Sequence, residues 1–110
     1  MVPSSALVRS IEWMRKHFDP DAALGVSAVY QFELTGAGGG ELVLRVDDGV
    51  ARIQAGRDPS AAVRLRLDAG DCLAILAGRE NADLLYLAGR LEIEGDLSLA
   101  MKLRSLLRRR

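Results

Sequence analysis

A thiol and an imidazole are the usual partners in nucleophilic or metal chemistry, and this chain carries one of each, Cys72 and His17. Two isolated soft ligands do not make a metal site, which needs three or four donors at characteristic spacing. As nucleophile and base they lack an orienting third group and a strained turn to expose the sulfur. Cys72 instead precedes the apolar stretch Leu73, Ala74, Ile75 and Leu76, where a thiol behaves as a small hydrophobe. The paired acids offer no better case. Asp47 and Asp48 fall at a turn, and Glu92 and Glu94 share the wet side of a strand, so neither pair has the desolvation that general acid work requires. Gly36, Gly38, Gly39 and Gly40 suggest a phosphate cradle by composition alone. A strand follows them where a phosphate loop would run into a helix, and no Lys-Ser or Lys-Thr pair is present, so the segment reads as a flexible hairpin loop. These residues imply neither an enzyme, nor a metal, nor a cofactor.

The elements that would position any site are plain in the periodicity. Ser4 and Ser5 cap a helix whose Leu7, Ile11, Met14 and Phe18 share one face, and Asp19-Pro20 stops it. From Val26 the period becomes two: Val26, Ala28, Tyr30, Phe32 and Leu34 face inward, and Ser27, Gln31, Glu33 and Thr35 face water. A second alternating run, Leu42, Leu44 and Val46, leads through the hairpin turn Asp48-Gly49 to a third strand from Val50 to Ala55. Arg57-Asp58-Pro59 breaks this meander before a fourth strand built on Val63, Leu65 and Leu67. Asp68 and Asp71 are placed to cap a helix ending at Gly78, and Asn81 begins another that ends at Gly89. A fifth strand with Leu91 and Ile93 inward reaches Gly95. Asp96 caps a last helix with Leu99, Ala100, Leu103, Leu106 and Leu107 on one face and Ser98, Lys102, Ser105 and Arg109 on the other.

Five strands with one apolar face and four helical segments predict an α+β two-layer sandwich: a single, largely antiparallel sheet with helices covering one face. Residues 1–110 suffice for one domain. Fifteen basic and fifteen acidic side chains cancel, which argues against nucleic acid as a partner. No window approaches the roughly 18 apolar residues of a membrane span, the N-terminus carries Arg9, Glu12, Arg15 and Lys16 in place of a signal peptide, and a lone cysteine suits a reducing compartment. A cytoplasmic protein is expected. Hydrophobic residues make up 49% and aromatics 5%, so the interior is mainly aliphatic.

Two surface features stay open between readings. Trp13 falls opposite the first helix's apolar stripe, beside Arg9, Lys16 and His17. It is either an amphipathic anchor or partner-facing aromatic, or a side chain laid along the sheet edge. Arg108, Arg109 and Arg110, with Lys102 and Arg104, form either a functional basic patch or cations favouring the negative end of a helix dipole.

The run Gly89-Arg90-Leu91-Glu92-Ile93-Glu94-Gly95-Asp96, followed by Leu97-Ser98-Leu99-Ala100-Met101-Lys102-Leu103, resembles the C-terminal signature of sterol carrier protein 2 domains. That signature has the form Gly-Lys-Leu-x-Ile-x-Gly-Asp, then x-x-Leu-Ala-x-Lys-Leu. The order of elements upstream is similar as well. The resemblance implies a five-stranded sheet with an apolar tunnel beneath its helices, and non-catalytic binding, transfer or presentation of a fatty acyl, isoprenoid or sterol-like lipid. It assigns the tunnel wall to Tyr30, Phe32, Leu91 and Ile93 from strands one and five, Leu76, Leu85 and Tyr86 from the short helices, and Leu99, Met101 and Leu103 from the last helix. The family's Asn-Pro-Gln-x-Ala-Phe-Met appears here as Asn81-Ala82-Asp83-Leu84-Leu85-Tyr86-Leu87, so Leu85 replaces a small residue and is expected to narrow or close the tunnel. The family's animal members end in a peroxisomal tripeptide that these three terminal arginines do not provide. Transient membrane contact follows from such a role, and a homodimer would leave no mark in the sequence. The competing expectation is an accessory protein-interaction module with the same fold and a closed core.

Overall fold

The computed structural model describes residues 5–108. Ser5 opens helix α1 (Ala6–His17), its hydroxyl accepting from the Val8 amide at 3.2 Å. Ser4, Arg109 and Arg110 lie outside the described residues. Strands β1 (Ser27–Thr35), β2 (Gly40–Asp47) and β3 (Val50–Ala55) form an antiparallel meander. Asp48 and Gly49 both take positive φ, 44° and 89°, as the tight hairpin turn between β2 and β3 demands. The glycine loop before β2 is docked against α1. The Leu7 amide donates to the Gly38 carbonyl at 2.9 Å, and a Cβ on Gly40 would sit 2.8 Å from the Leu7 side chain.

Strand β4 (Val63–Asp68) runs parallel to β1, and β5 (Leu91–Gly95) pairs antiparallel with β4, giving the order β3-β2-β1-β4-β5. Register places Tyr30 beside Leu44 and Val63, and Phe32 beside Leu42 and Leu65, so each strand's inward set forms one continuous apolar floor. The opposite face is not wholly wet. Gln31 and Val43 are fully buried there, against the expectation that Gln31 faces water. The crossover of residues 56–62, which must pass the meander to reach β4, bonds back onto Gln31. Gln31 Nε2 donates to the carbonyls of Leu42 (3.3 Å) and Gly56 (3.1 Å), while Oε1 accepts from the Asp58 amide at 2.8 Å. Asp58 in turn pairs with Arg45 at 3.1 Å and accepts from the Ser60 hydroxyl and amide. These bonds hold the Asp58 carboxyl below its ordinary pKa, Ser60 contributing most and Arg45 less.

Three further helices complete the second layer: α2 (Ala69–Leu76), α3 (Ala82–Leu87) and α4 (Leu97–Leu106). Their caps are Asp68, Asn81 and Asp96, each accepting from backbone amides of its first turn. Asp71 lies inside the first turn of α2 and pairs with Arg90 at 2.7 Å. Between β5 and α4, Gly95 (φ +99°) passes so close to β4 that a Cβ would lie 2.1 Å from the Ala62 carbonyl oxygen. Only glycine makes that turn. Helix α1 lies over β2 and β3, and α2, α3 and α4 lie over β1, β4 and β5. The layer is tied shut where α4 meets the end of α1: Asp19 N bonds the Leu106 carbonyl (2.8 Å), and Arg108 N bonds the His17 carbonyl (3.1 Å).

Candidate functional site

Between the two layers lies a largely apolar cavity of about 510 Å³. Its floor is the sheet: Phe32 from β1, Leu65 and Leu67 from β4, Leu91 and Ile93 from β5. Trp13 and Met14 close it on the α1 side, and Cys72, Ile75 and Leu76 on the α2 side. Ala82, Asp83 and Tyr86 of α3 face Leu97, Ala100, Met101, Leu103 and Arg104 of α4 across the remaining side. The deep walls, Met14, Phe32, Leu65 and Cys72, are buried. The α3–α4 side is the mouth, where Tyr86, Leu97 and Met101 are 46%, 53% and 67% exposed.

Seven of the residues assigned to the tunnel wall by resemblance lie on this cavity: Phe32, Leu76, Tyr86, Leu91, Ile93, Met101 and Leu103. Tyr30, Leu85 and Leu99 do not. Tyr30 is wholly buried, and its hydroxyl donates to the Leu99 carbonyl at 2.8 Å, so these two residues form a joint beside the void. Burial, and to a smaller extent the charge of Asp96, pushes the Tyr30 phenol up to about 12. Leu85 is 3% exposed and packs in the core off the cavity, so its bulk does not close the space.

Leu65 and Leu67 belong to the floor because β4 lies between β1 and β5, and inward patterning alone does not reveal that order. Trp13 lines the wall: it is half-buried, packed on the core and stacked on His17 with centroids 4.1 Å apart. His17 Nδ1 is buried without a hydrogen-bond partner among the described residues. Asp83 and Arg104, an ion pair joining α3 to α4, carried no sequence signal beyond their charge.

Cys72 lines the cavity as a thiol unsuited to nucleophilic work. It accepts from the Ser10 hydroxyl at 3.6 Å, and burial pushes it up to about 11, so it is protonated near neutrality. Among the described residues no group of three or more His, Cys, Asp or Glu side chains is placed to hold a metal, and no helix is long and apolar enough to cross a membrane.

A mixed five-stranded sheet, covered on one face by helices that enclose an apolar space, defines a two-layer α+β domain with an internal cavity. Residues 13–108 match the SCP-2 sterol transfer family, and the chain belongs to that family. Its relatives include hydroxysteroid dehydrogenase-like protein 2 of Bos taurus, 29% identical over 106 residues that cover 94% of this chain and 25% of the relative. The chain thus spans about a quarter of the length of such relatives. Among solved structures, sterol carrier protein 2 like 2 of Aedes aegypti superposes with a TM-score of 0.71 at 22% identity, covering 93% of each chain. The palmitated form of that mosquito protein gives 0.67 at 25% identity, covering 96% of this chain and 93% of the other.

Proposed function

We propose that this chain binds one lipid with a long apolar tail, a fatty acyl, isoprenoid or sterol-like molecule, and transfers or presents it without covalent chemistry. The observation that carries the reading is the apolar cavity of about 510 Å³ opening between α3 and α4. Pockets for small ligands run from about 300 to 1,000 Å³. A buried methylene contributes about 0.8 kcal/mol, so a chain of about fifteen gives roughly 12 kcal/mol gross. After an ordering cost of several kcal/mol, micromolar or tighter binding remains without any directed polar contact. That is consistent with walls that offer so few polar groups. The palmitated mosquito relative supports the same class of ligand. The cavity also speaks against the closed-core interaction module.

The mouth fits exchange with a bilayer. Tyr86, Leu97 and Met101 are at once cavity wall and exposed surface, and exposed Leu84 and Leu87 continue the apolar area along α3. A tail leaving a membrane there would stay on apolar surface throughout. Denaturing extraction of purified protein followed by mass spectrometry, together with displacement of a fluorescent fatty acid, tests the reading. Co-purified lipid or a displaceable probe at micromolar concentration is expected. A protein that holds neither overturns it.

A further inference from the structure

Asp83 and Arg104 are the two charged side chains on a wall otherwise made of apolar groups, the Cys72 thiol, the Trp13 indole and the Tyr86 phenol, and both stand at its mouth. They reach across from α3 and α4 and pair through Asp83 Oδ1 and Arg104 Nη2. Their side chains are 62% and 63% exposed, so the pair is solvated and weak. A partner held that weakly is readily exchanged. At the inner end no charged group competes for a polar head: Met14, Phe32 and Leu65 are apolar, and the neutral Cys72 thiol accepts from Ser10. An amphiphile in this cavity must therefore point its tail inward and its head toward α3 and α4, because an unpaired charge against the deep wall is strongly disfavoured by desolvation.

We propose that Arg104 is the head-group receptor of the cavity, taking the anionic head of a single-chain amphiphile in place of Asp83. The proposal rests on the lipid-binding reading and adds to it the charge of the ligand and the residue that selects it. A guanidinium fork holds a carboxylate or a phosphate through two parallel N–H···O bonds, so both heads share the chemistry. Asp83 has a second effect. While it occupies Arg104 it neutralises the mouth, which lowers affinity for anions and leaves neutral ligands unaffected. Anion selectivity is thus set by competition between the ligand head and Asp83 for one arginine.

The test is displacement of a neutral fluorescent probe at pH 7.5 by four ligands of equal chain length: tetradecanoate, tetradecyl phosphate, tetradecanol and tetradecyltrimethylammonium. The expected result is about tenfold tighter binding of the two anions than of the alcohol, with the cation weakest. Their ratio to each other tells which anionic head is preferred. Arg104→Gln is expected to collapse the difference between acid and alcohol while leaving the alcohol unchanged. Asp83→Asn is expected to tighten the anions several-fold and leave the alcohol alone. Both substitutions fall on exposed side chains, and circular dichroism checks that the fold is kept. Equal binding of acid and alcohol by the native protein, or an equal loss of both in Arg104→Gln, overturns the head-group assignment while the carrier reading stands. Failure of all four ligands to displace the probe, or of the probe to bind, removes the carrier reading and this proposal with it.

Discussion

The Tyr30 hydroxyl donates to the carbonyl of Leu99 at 2.8 Å, joining the central strand β1 to the first turn of α4. The bond does two things. It gives a wholly buried phenol a partner, and it holds the roof of the cavity at a fixed distance from the sheet. Tyr30→Phe keeps the ring's packing and removes the tie. The expected cost is about 1–1.5 kcal/mol in urea unfolding, with faster amide hydrogen exchange in α4 than in α1 or α2. Uniform exchange across all the helices would show that the bond is not what positions the roof.

Gln31 plays the corresponding part on the other face of the sheet. Its amide satisfies two carbonyls and one amide of the β2 and crossover backbone. Gln31→Ala strands all of these groups and is expected to cost about 2–3 kcal/mol, read as a lower urea midpoint at unchanged slope. A loss below 0.5 kcal/mol would mean that water replaces the side chain without penalty.

The frame was legible because local rules and global packing agree. Alternation in β1 to β5, the caps Ser5, Asp68, Asn81 and Asp96, and the Asp48-Gly49 turn each have one physical reading, and all point to the same two-layer fold. What alternation cannot give is strand order. Leu65 and Leu67 look like any inward pair until β4 is known to lie parallel beside β1 at the centre of the cavity floor. Gln31 looked wet because the segment that buries it lies 25 or more residues further on. Tyr30, Leu85 and Leu99 share the apolar pattern of the wall, and only distances tell a packed joint from a lining residue.

Alkaline pH should destabilise the protein through Cys72. Its pKa is raised from 9.0 to about 11 in the folded state, chiefly by burial, so folding favours the neutral thiol. The stabilisation is complete below the unfolded value and is lost as pH rises through about 11, amounting to roughly 2–3 kcal/mol. Tyr30, raised to about 12, acts in the same direction at somewhat higher pH. Cys72→Ala should flatten the part of the stability curve between pH 9 and 11. The native thiol should also resist iodoacetamide at pH 7.5 and react once urea is added. Rapid labelling of the folded protein would contradict its burial.

The exposed rim gives a prediction about transfer as distinct from affinity. Leu97→Gln combined with Met101→Gln removes two large apolar side chains from the α4 side of the mouth without touching the deep wall. Transfer of a fluorescent fatty acid from the loaded protein to vesicles should slow several-fold, while equilibrium binding weakens less than threefold. The reverse pattern would place the bilayer contact elsewhere on the molecule.

Ala100 offers the most direct test of whether the cavity is the binding site. It sits on α4 facing the void, 8% exposed, and its methyl leaves the space above β4 and β5 unfilled. A core packed to ordinary density would resist a phenyl ring there, at a cost of about 1–3 kcal/mol. A void accepts the ring and gains apolar contact instead. Ala100→Phe is therefore expected to hold or raise the melting temperature while lowering fatty-acid affinity at least tenfold. Ser98→Phe, on the exposed side of the same helix, serves as the control and should leave affinity unchanged. Two results would count against the cavity. Full binding by Ala100→Phe would put the lipid elsewhere, and a destabilisation of several kcal/mol would show that the space is filled by relaxed packing in solution. Because affinity is predicted to fall without any loss of stability, misfolding of the variant cannot imitate the expected result.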